Sequence, residues 1–284
     1  MRIIRTVADL RDALQEARGD GQRVGFVPTM GALHAGHLSL VSAARAACDT
    51  VVVSLFVNPT QFNDSADLIA YPRDEGRDAE LAAGAGADIL FAPDAAEMYP
   101  AGFATTVHVR GVSEPLEGAH RGASHFDGVA TVVTKLLLAV APDVAWFGQK
   151  DAQQVAVVRR MVADLGLPVR IKTAPTVREA DGLAMSSRNV RLAVEDRPRA
   201  LALKAGLDAV AAEVADGGDT RSAEAAGVAA MRKRGVEPEY LALVDPETFS
   251  PASDLQRPSL AVVAAKVGGV RLIDNLPIAP PIHR

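Results

Sequence analysis

The sequence predicts an α/β protein, with a parallel sheet flanked by helices and a smaller α+β domain after it. Three observations carry this. From residue 23 to about residue 175, short apolar runs rich in β-branched residues alternate with segments of helical spacing. Several of those runs end in Pro, Gly or polar corners, as strands feeding helices do. Over the last hundred residues the alternation stops, and Ala-rich helix is followed by short strands.

The elements follow in order. "RVGFVPT" (23–29) is a strand and "LSLVSAARAAC" (38–48) has helical spacing. "TVVVSLFV" (50–57) is a β-branched strand followed by the polar loop "NPTQFNDSAD". "EGRDAELAAGAG" is helical and "ADILFAP" (87–93) is a further strand. Then come helix "FDGVATVVTKLLLAVA", strand "PDVAWFGQ", helix "DAQQVAVVRRMVADLG" and strand "PVRIKTAP". Strands joined through helices imply βαβ units and a parallel sheet, which binds ligands where its strands end and its helices begin. A boundary near residue 176 gives domains 1–176 and 177–284. In the second, "RPRALALKAGLDAVAAEVADGGDTRSAEAAGVAAMRKRG" is helical with a Gly-Gly break. Strands 239–245, 259–267 and 270–278 follow, with "VGGV" as a hairpin turn.

Composition narrows the function. The chain has 284 residues, 49% hydrophobic and 23% charged, which suffices for a sizeable core. A net charge of −5 argues against a nucleic-acid surface but leaves room for a small anion in a locally basic pocket. The one cysteine, Cys48, excludes an internal disulfide and cysteine-based metal sites, and its setting reads as a buried apolar residue. No export signal and no run of 18 apolar residues is visible, so a cytoplasmic protein without membrane contact is expected.

Four stretches carry chemistry. In "GFVPTMGALHAGHLSL", His34 and His37 fall at the start of a helix, three apart and on one face. A helix N-terminus approached through glycine favours anions, and two imidazoles there can donate to phosphate oxygens. The alternatives are that His37 caps or packs while His34 is solvated, or that the pair binds zinc. In "WFGQKDAQQVAVV", Gly148 permits a tight turn after a strand, and Asp151 with Gln154 fits a capping box. Lys150 is either a phosphate contact at that corner or a solvated residue beside the cap. In "PTVREADGLAMSSRNVRL", Ser186, Ser187 and Arg188 offer two hydroxyls and a guanidinium, with Gly182 allowing a mobile or tightly turned loop. The plainer reading has Ser187 capping a helix and Arg188 exposed. In "NPTQFNDSADLIAYPRD", the Gln61 amide suits a substrate with a carboxylate and a hydroxyl, or is simply surface. The phosphate loop GxxxxGK[ST], GxGxxG after a strand, GxSxG and HExxH are all missing.

Together these stretches resemble a known family. "HAGH" (34–37) is similar to the HxGH signature of the nucleotidyltransferase superfamily, and "MSSR" (185–188) to its KMSKS-type loop. A closer resemblance is to the pantothenate synthetases (pantoate–β-alanine ligases). It runs through "PTMGALHAGHLSL", "VSLFVNPTQF", "DLIAYPRD", "EGAHRGASHFDGVATVVTKL", "FGQKDAQQ", "RRMVADLGLPV" and "PTVREADGLAMSSRN", and more loosely through "YLALVD" and "RLIDN". The resemblance implies a Rossmann-like domain for nucleotide and pantoate, with the C-terminal domain covering the active site. It implies ATP-dependent joining of pantoate to β-alanine through pantoyl adenylate, with Mg²⁺, in a homodimer. It assigns Met30, Gly31, Ala32, Leu33, His34, Ala35, Gly36, His37, Gly148, Gln149, Lys150, Asp151, Val177, Met185, Ser186, Ser187 and Arg188 to ATP. Of these, His34, His37, Lys150, Ser186, Ser187 and Arg188 are expected to be catalytic. Gln61 would hold pantoate and β-alanine, Gln154 pantoate, and Val129, Val132 and Val133 the pantoate methyl groups. Asp78 would touch Mg²⁺, and the "AMSSRN" loop would close over the adenylate. Two other readings are an adenylyl-transferring enzyme of the same fold that leaves AMP on its product, and an ATP-binding protein without turnover.

Overall fold

The strands and helices run β1 (Arg2–Ile4), α1 (Val7–Gly19), β2 (Val24–Thr29), α2 (Ala35–Arg45), β3 (Thr50–Leu55), α3 (Ser65–Ile69), α4 (Glu75–Gly84), β4 (Ile89–Phe91), α5 (Ala95–Met98), α6 (Glu117–Arg121), α7 (Ala123–Val140), β5 (Val144–Gly148), α8 (Ala152–Asp164) and β6 (Arg170–Ala174). They continue with α9 (Arg197–Ala200), α10 (Ala202–Ala215), α11 (Thr220–Arg232), β7 (Pro238–Val244), β8 (Ser259–Val267) and β9 (Val270–Ile278). The computed structural model describes residues 1–63 and 65–280. The chain divides into two compact units, residues 1–148 with 157–175, and residues 149–156 with 176 onward. The division is therefore discontinuous, where the sequence suggested a single cut.

In the first unit six parallel strands form one sheet in the order β1-β4-β3-β2-β5-β6. The chain moves from β2 outward in both directions, so the order reverses between β2 and β5. Open α/β sheets bind ligands beyond the carboxyl ends of their strands at such a point. Two corners leave that edge of the sheet, the loop after Thr29 and the chain after Gly148. The four inner strands of the sheet are a buried layer. Val27, Val51, Val53, Leu90, Val144 and Trp146 pack with Leu40, Val41 and Ala44 of α2. Continuous apolar strands are expected where helices cover a parallel sheet. Cys48 lies in this cluster, and burial pushes its thiol up, as suits a packing residue rather than a nucleophile.

Two elements were not legible from periodicity. β1 has only three residues, and α1 depends on a cap. Thr6 accepts from the Asp9 N–H at 3.1 Å and donates to the Asp9 carboxylate at 2.7 Å. β4 is shorter than its seven-residue apolar run. α2 begins three residues before the expected position because His34 caps it.

The second unit carries an antiparallel sheet in the order β7-β8-β9. Gly268 and Gly269, with φ of 54° and 77°, make the two-residue turn between β8 and β9, with Val267 opposite Val270. Two left-handed residues make the type I′ turn, one of the two short turns whose twist matches that of the strands. Leu203, Leu207 and Val210 of α10 and Met231 of α11 bury against Leu243, Val263 and Leu272 of the sheet.

Candidate active site

In the first unit the loop between β2 and α2 is held by side chains from β2 and α4. Thr29 donates through Oγ1 to the Ser54 carbonyl at 2.7 Å, and the same oxygen accepts the Gly31 N–H at 3.2 Å. Gly31 and Ala32 are both left-handed, with φ of 87° and 52°. For Ala32 that conformation costs about 1–2 kcal/mol. Asp78, on the first turn of α4, offsets it. Its Oδ2 accepts the Ala32 N–H at 2.8 Å and its Oδ1 the Leu33 N–H at 2.7 Å. The carboxylate is 1% exposed.

His34 then caps α2, and His37 occupies its third position. Nδ1 of His34 accepts the Gly36 N–H at 3.1 Å, and Nδ1 of His37 accepts the His34 N–H at 3.4 Å. The rings lie 4.1 Å apart between centroids. Backbone N–H groups can only donate, so each Nδ1 is an acceptor and each neutral ring carries its proton on Nε2. Both histidines thus take part in the cap, where the alternative reading had His37 capping and His34 solvated. The Gly36 N–H is spent on the His34 ring, the His37 N–H on the His34 carbonyl at 2.8 Å, and the rings carry the donor function on Nε2.

Gln61 sits in a 3₁₀ turn, Pro59–Gln61, held by residues the sequence reading passed over. Asn58 is 1% exposed. Its Oδ1 accepts from the Tyr99 hydroxyl at 2.8 Å and from Thr60 Oγ1 at 3.0 Å. Its Nδ2 donates to Gln61 Oε1 at 3.0 Å and to the Gly128 carbonyl at 3.1 Å. Burial pushes the Tyr99 phenol up, which keeps it a donor. The network fixes the Gln61 amide with oxygen toward Asn58 and Nε2 on the Met30 sulfur at 3.1 Å. His125 Nδ1 lies 2.9 Å from the Gln61 carbonyl. A methyl group on Gly128 would stand 2.5 Å from the Thr60 carbonyl oxygen, so only glycine lets α7 approach this turn. Val129, Val132 and Val133 follow on α7 and are buried. The fold therefore gathers Met30, Gln61 and the Gly128–Val133 segment, three stretches far apart in sequence. The polar pair Asn58 and Tyr99 was detectable only as an Asn-Pro turn and a lone tyrosine.

In the second unit, Gln149–Asp151 form a 3₁₀ turn before α8, and Lys150 Nζ lies 3.5 Å from Asp151 Oδ1. Gln154 is half-buried on the first turn of α8. Residues 177–185 form a small hairpin. Met185 N–H bonds the Val177 carbonyl at 2.9 Å, and Glu179 N–H bonds the Leu183 carbonyl at 2.8 Å. Ser186, rather than Ser187, caps the following 3₁₀ turn by accepting the Arg188 N–H at 3.2 Å. Asn189 donates to Glu179 Oε1 at 2.6 Å, and Arg197 bonds Glu179 at 2.6 Å and Asp181 at 2.8 Å. Met185 to Arg188 thus hang from a braced hairpin, not a slack loop. Hydrogen bonds from Arg197 hold the Asp181 carboxyl below its usual range.

The residues do not fit a protein-held Mg²⁺. Both Asp78 oxygens are taken by backbone N–H groups, and among the described residues no three His, Cys, Asp or Glu side chains cluster as a metal site. The same finding leaves a zinc reading of His34 and His37 without a third ligand. No helix among the described residues is long and apolar enough to cross a membrane.

Known proteins fit this picture. The family model described as pantoate-beta-alanine ligase matches residues 2–277. The pantothenate synthetase of Chelativorans sp. is 57% identical over 280 residues, covering 98% of each chain. The crystal structure of the Thermus thermophilus enzyme superposes with a TM-score of 0.93 at 51% identity, covering 99% of this chain and 100% of that one. A Francisella tularensis pantoate-beta-alanine ligase, solved with beta-gamma ATP and beta-alanine, gives a TM-score of 0.80 at 32% identity, covering 97% of both chains. With its six-stranded parallel sheet, its small antiparallel domain and a family match over nearly its whole length, the chain belongs to the pantoate–β-alanine ligases.

Proposed function

We propose that the chain condenses pantoate with β-alanine at the expense of ATP, through a pantoyl adenylate. A pantoate carboxylate oxygen attacks the α-phosphorus, the bond to the β-phosphate oxygen breaks, and pyrophosphate leaves. The β-alanine amine then attacks the acyl carbon, loses a proton, and AMP departs with the carboxyl oxygen. No enzyme nucleophile is needed. The observation that carries this reading is the histidine pair. Each Nδ1 accepts a backbone N–H, which orients the two rings and puts each ring proton on Nε2. Such donors stabilise the charge that grows on phosphate oxygens during transfer.

Lys150 and Arg188 supply cationic charge to the nucleotide, and Ser186, Ser187 and the backbone of 148–151, Val177 and Met185 complete its contacts. The loop Met30–His37 holds the phosphates. Gln61 offers Nε2–H donors, which suit the carboxylates of pantoate and of β-alanine. Gln154 and the valines 129, 132 and 133 bind pantoate. The Francisella tularensis complex with an ATP analogue and beta-alanine supports the choice of ligands. Mg²⁺ would be held by the triphosphate oxygens with water, its usual arrangement beside nucleotides. The family resemblance alone supports a cytoplasmic homodimer.

The deciding assay uses purified protein, ATP, Mg²⁺ and pantoate, following AMP with and without β-alanine. AMP that appears only with β-alanine, matched by pantothenate, bears the reading out. Pyrophosphate released with AMP retained on the product would replace it with a simple adenylyl transfer. ATP binding without turnover would make the chain a silent binder.

A further inference from the structure

Asp274 and Asn275, neighbours in β9, each hold a different segment of the second unit. Asn275 Nδ2 donates to the carbonyls of Gln149 and Lys150, both at 2.9 Å, and its Oδ1 accepts from Gln149 Nε2 at 3.4 Å. Asp274 takes the Arg178 guanidinium at two points, 2.7 and 3.0 Å, and its Oδ1 also accepts the Asn275 N–H at 2.8 Å. Arg178 belongs to the hairpin that ends at Met185, and it donates to the Gly182 carbonyl at 3.1 Å. Both β9 residues are 4% exposed. Their strand is itself fixed in register, Asp274 opposite Val263 and Asn275 opposite Val262 of β8.

The two side chains are not interchangeable with others of their size. The Gln149 and Lys150 carbonyls need two N–H donors on one short arm, which an asparagine amide provides. Aspartate would face both carbonyls with acceptors only, and leucine would leave them without partners in a half-buried place. A bidentate carboxylate is the matching partner for Arg178. One dipeptide on a rigid strand therefore sets the origin of both the lysine turn and the hairpin that carries Ser186 to Arg188.

We propose that Asn275 is a positioning residue, which holds the Lys150 backbone so that its ammonium group meets the nucleotide, while Asp274 does the same for the Ser186–Arg188 hairpin through Arg178. This rests on the reading above that Lys150 acts on ATP. Asn275 touches no reacting atom and works through the group it holds.

The test is Asn275→Ala in the wild-type and Lys150→Ala backgrounds, with kcat and the KM values for ATP and pantoate. In the wild-type background kcat falls by about 10- to 100-fold, the scale of a misplacement of about 1 Å, while pantoate KM stays within about twofold. In the Lys150→Ala background the same change costs less than about threefold, because the positioned group is gone. Asn275→Ser, which keeps one donor, recovers part of the loss, and it stands in for the alanine variant if that one does not fold. Equal losses in both backgrounds would reduce Asn275 to a packing residue and overturn the proposal. Hydrogen exchange gives a readout that needs no turnover. The amides of residues 149–156 exchange faster in Asn275→Ala, and unchanged protection overturns the anchor. A wild-type protein that makes no pantothenate would defeat the ligase reading on its own, while the exchange result would still decide whether the anchor exists.

Discussion

Asp78 Oδ1 accepts the Leu33 N–H at 2.7 Å across 45 residues of sequence, while the other oxygen holds Ala32. That places a buried charge on the backbone just ahead of His34. In Asp78→Asn one N–H faces an amide nitrogen and loses its acceptor. A stability loss of about 1–3 kcal/mol is expected in urea denaturation, together with a lower kcat. The Mg²⁺ concentration for half-maximal rate stays where it was. A tenfold rise in that concentration would make Asp78 a metal contact after all.

His37→Ala keeps the fold, since α2 retains its His34 cap, and lowers adenylate formation by about 10²–10³-fold. Single-turnover pyrophosphate release, beside far-ultraviolet circular dichroism, separates the two effects. Near wild-type release in a folded variant would remove His37 from the chemistry.

Gln61→Ala raises the pantoate KM far more than the ATP KM. Asn58→Ala moves the same constant in the same direction, because it frees the Gln61 amide to turn. Gly128→Ala joins this set by pressing on the Thr60 carbonyl. Saturation curves for pantoate in the three variants decide the matter, and an unaltered pantoate KM in Gln61→Ala would exclude that glutamine from the pocket.

Arg197 and Asp181 give a pH dependence. The folded-state carboxyl of Asp181 is lowered, chiefly by its hydrogen bonds from Arg197. Its contribution is therefore present above the ordinary carboxylate value, about 4, and fades as pH falls through the lowered one. Asp181→Asn should be less stable than wild type at pH 7 by under about 1 kcal/mol, since the carboxylate side chain is 35% exposed. The stability curves converge in acid. A gap that persists there would mean the residue acts through its shape.

Most of the larger elements could be read from periodicity, because a covered parallel sheet demands apolar runs such as 50–55 and amphipathic helices such as α8. The histidine pair and the Ser-Ser-Arg turn were visible because rare polar residues cluster at element starts. What could not be read was long-range polar partnership. Nothing near Gln61 announces Tyr99 or Gly128, and nothing near Lys150 announces Asn275, for these pairings depend on the tertiary path. Asp78 is a further case: the resemblance points it at Mg²⁺, and only the folded loop reveals the Ala32 and Leu33 N–H groups that its two oxygens accept.

Asn275 lies 125 residues beyond Lys150 in the sequence. Synthesis runs from the N-terminus, so the residues of the histidine loop and of β1 to β6 are made before the strand that holds the lysine turn. The order of synthesis thus separates the histidine loop from the residue that holds the Lys150 backbone, and β9 joins the two ends of a 125-residue span.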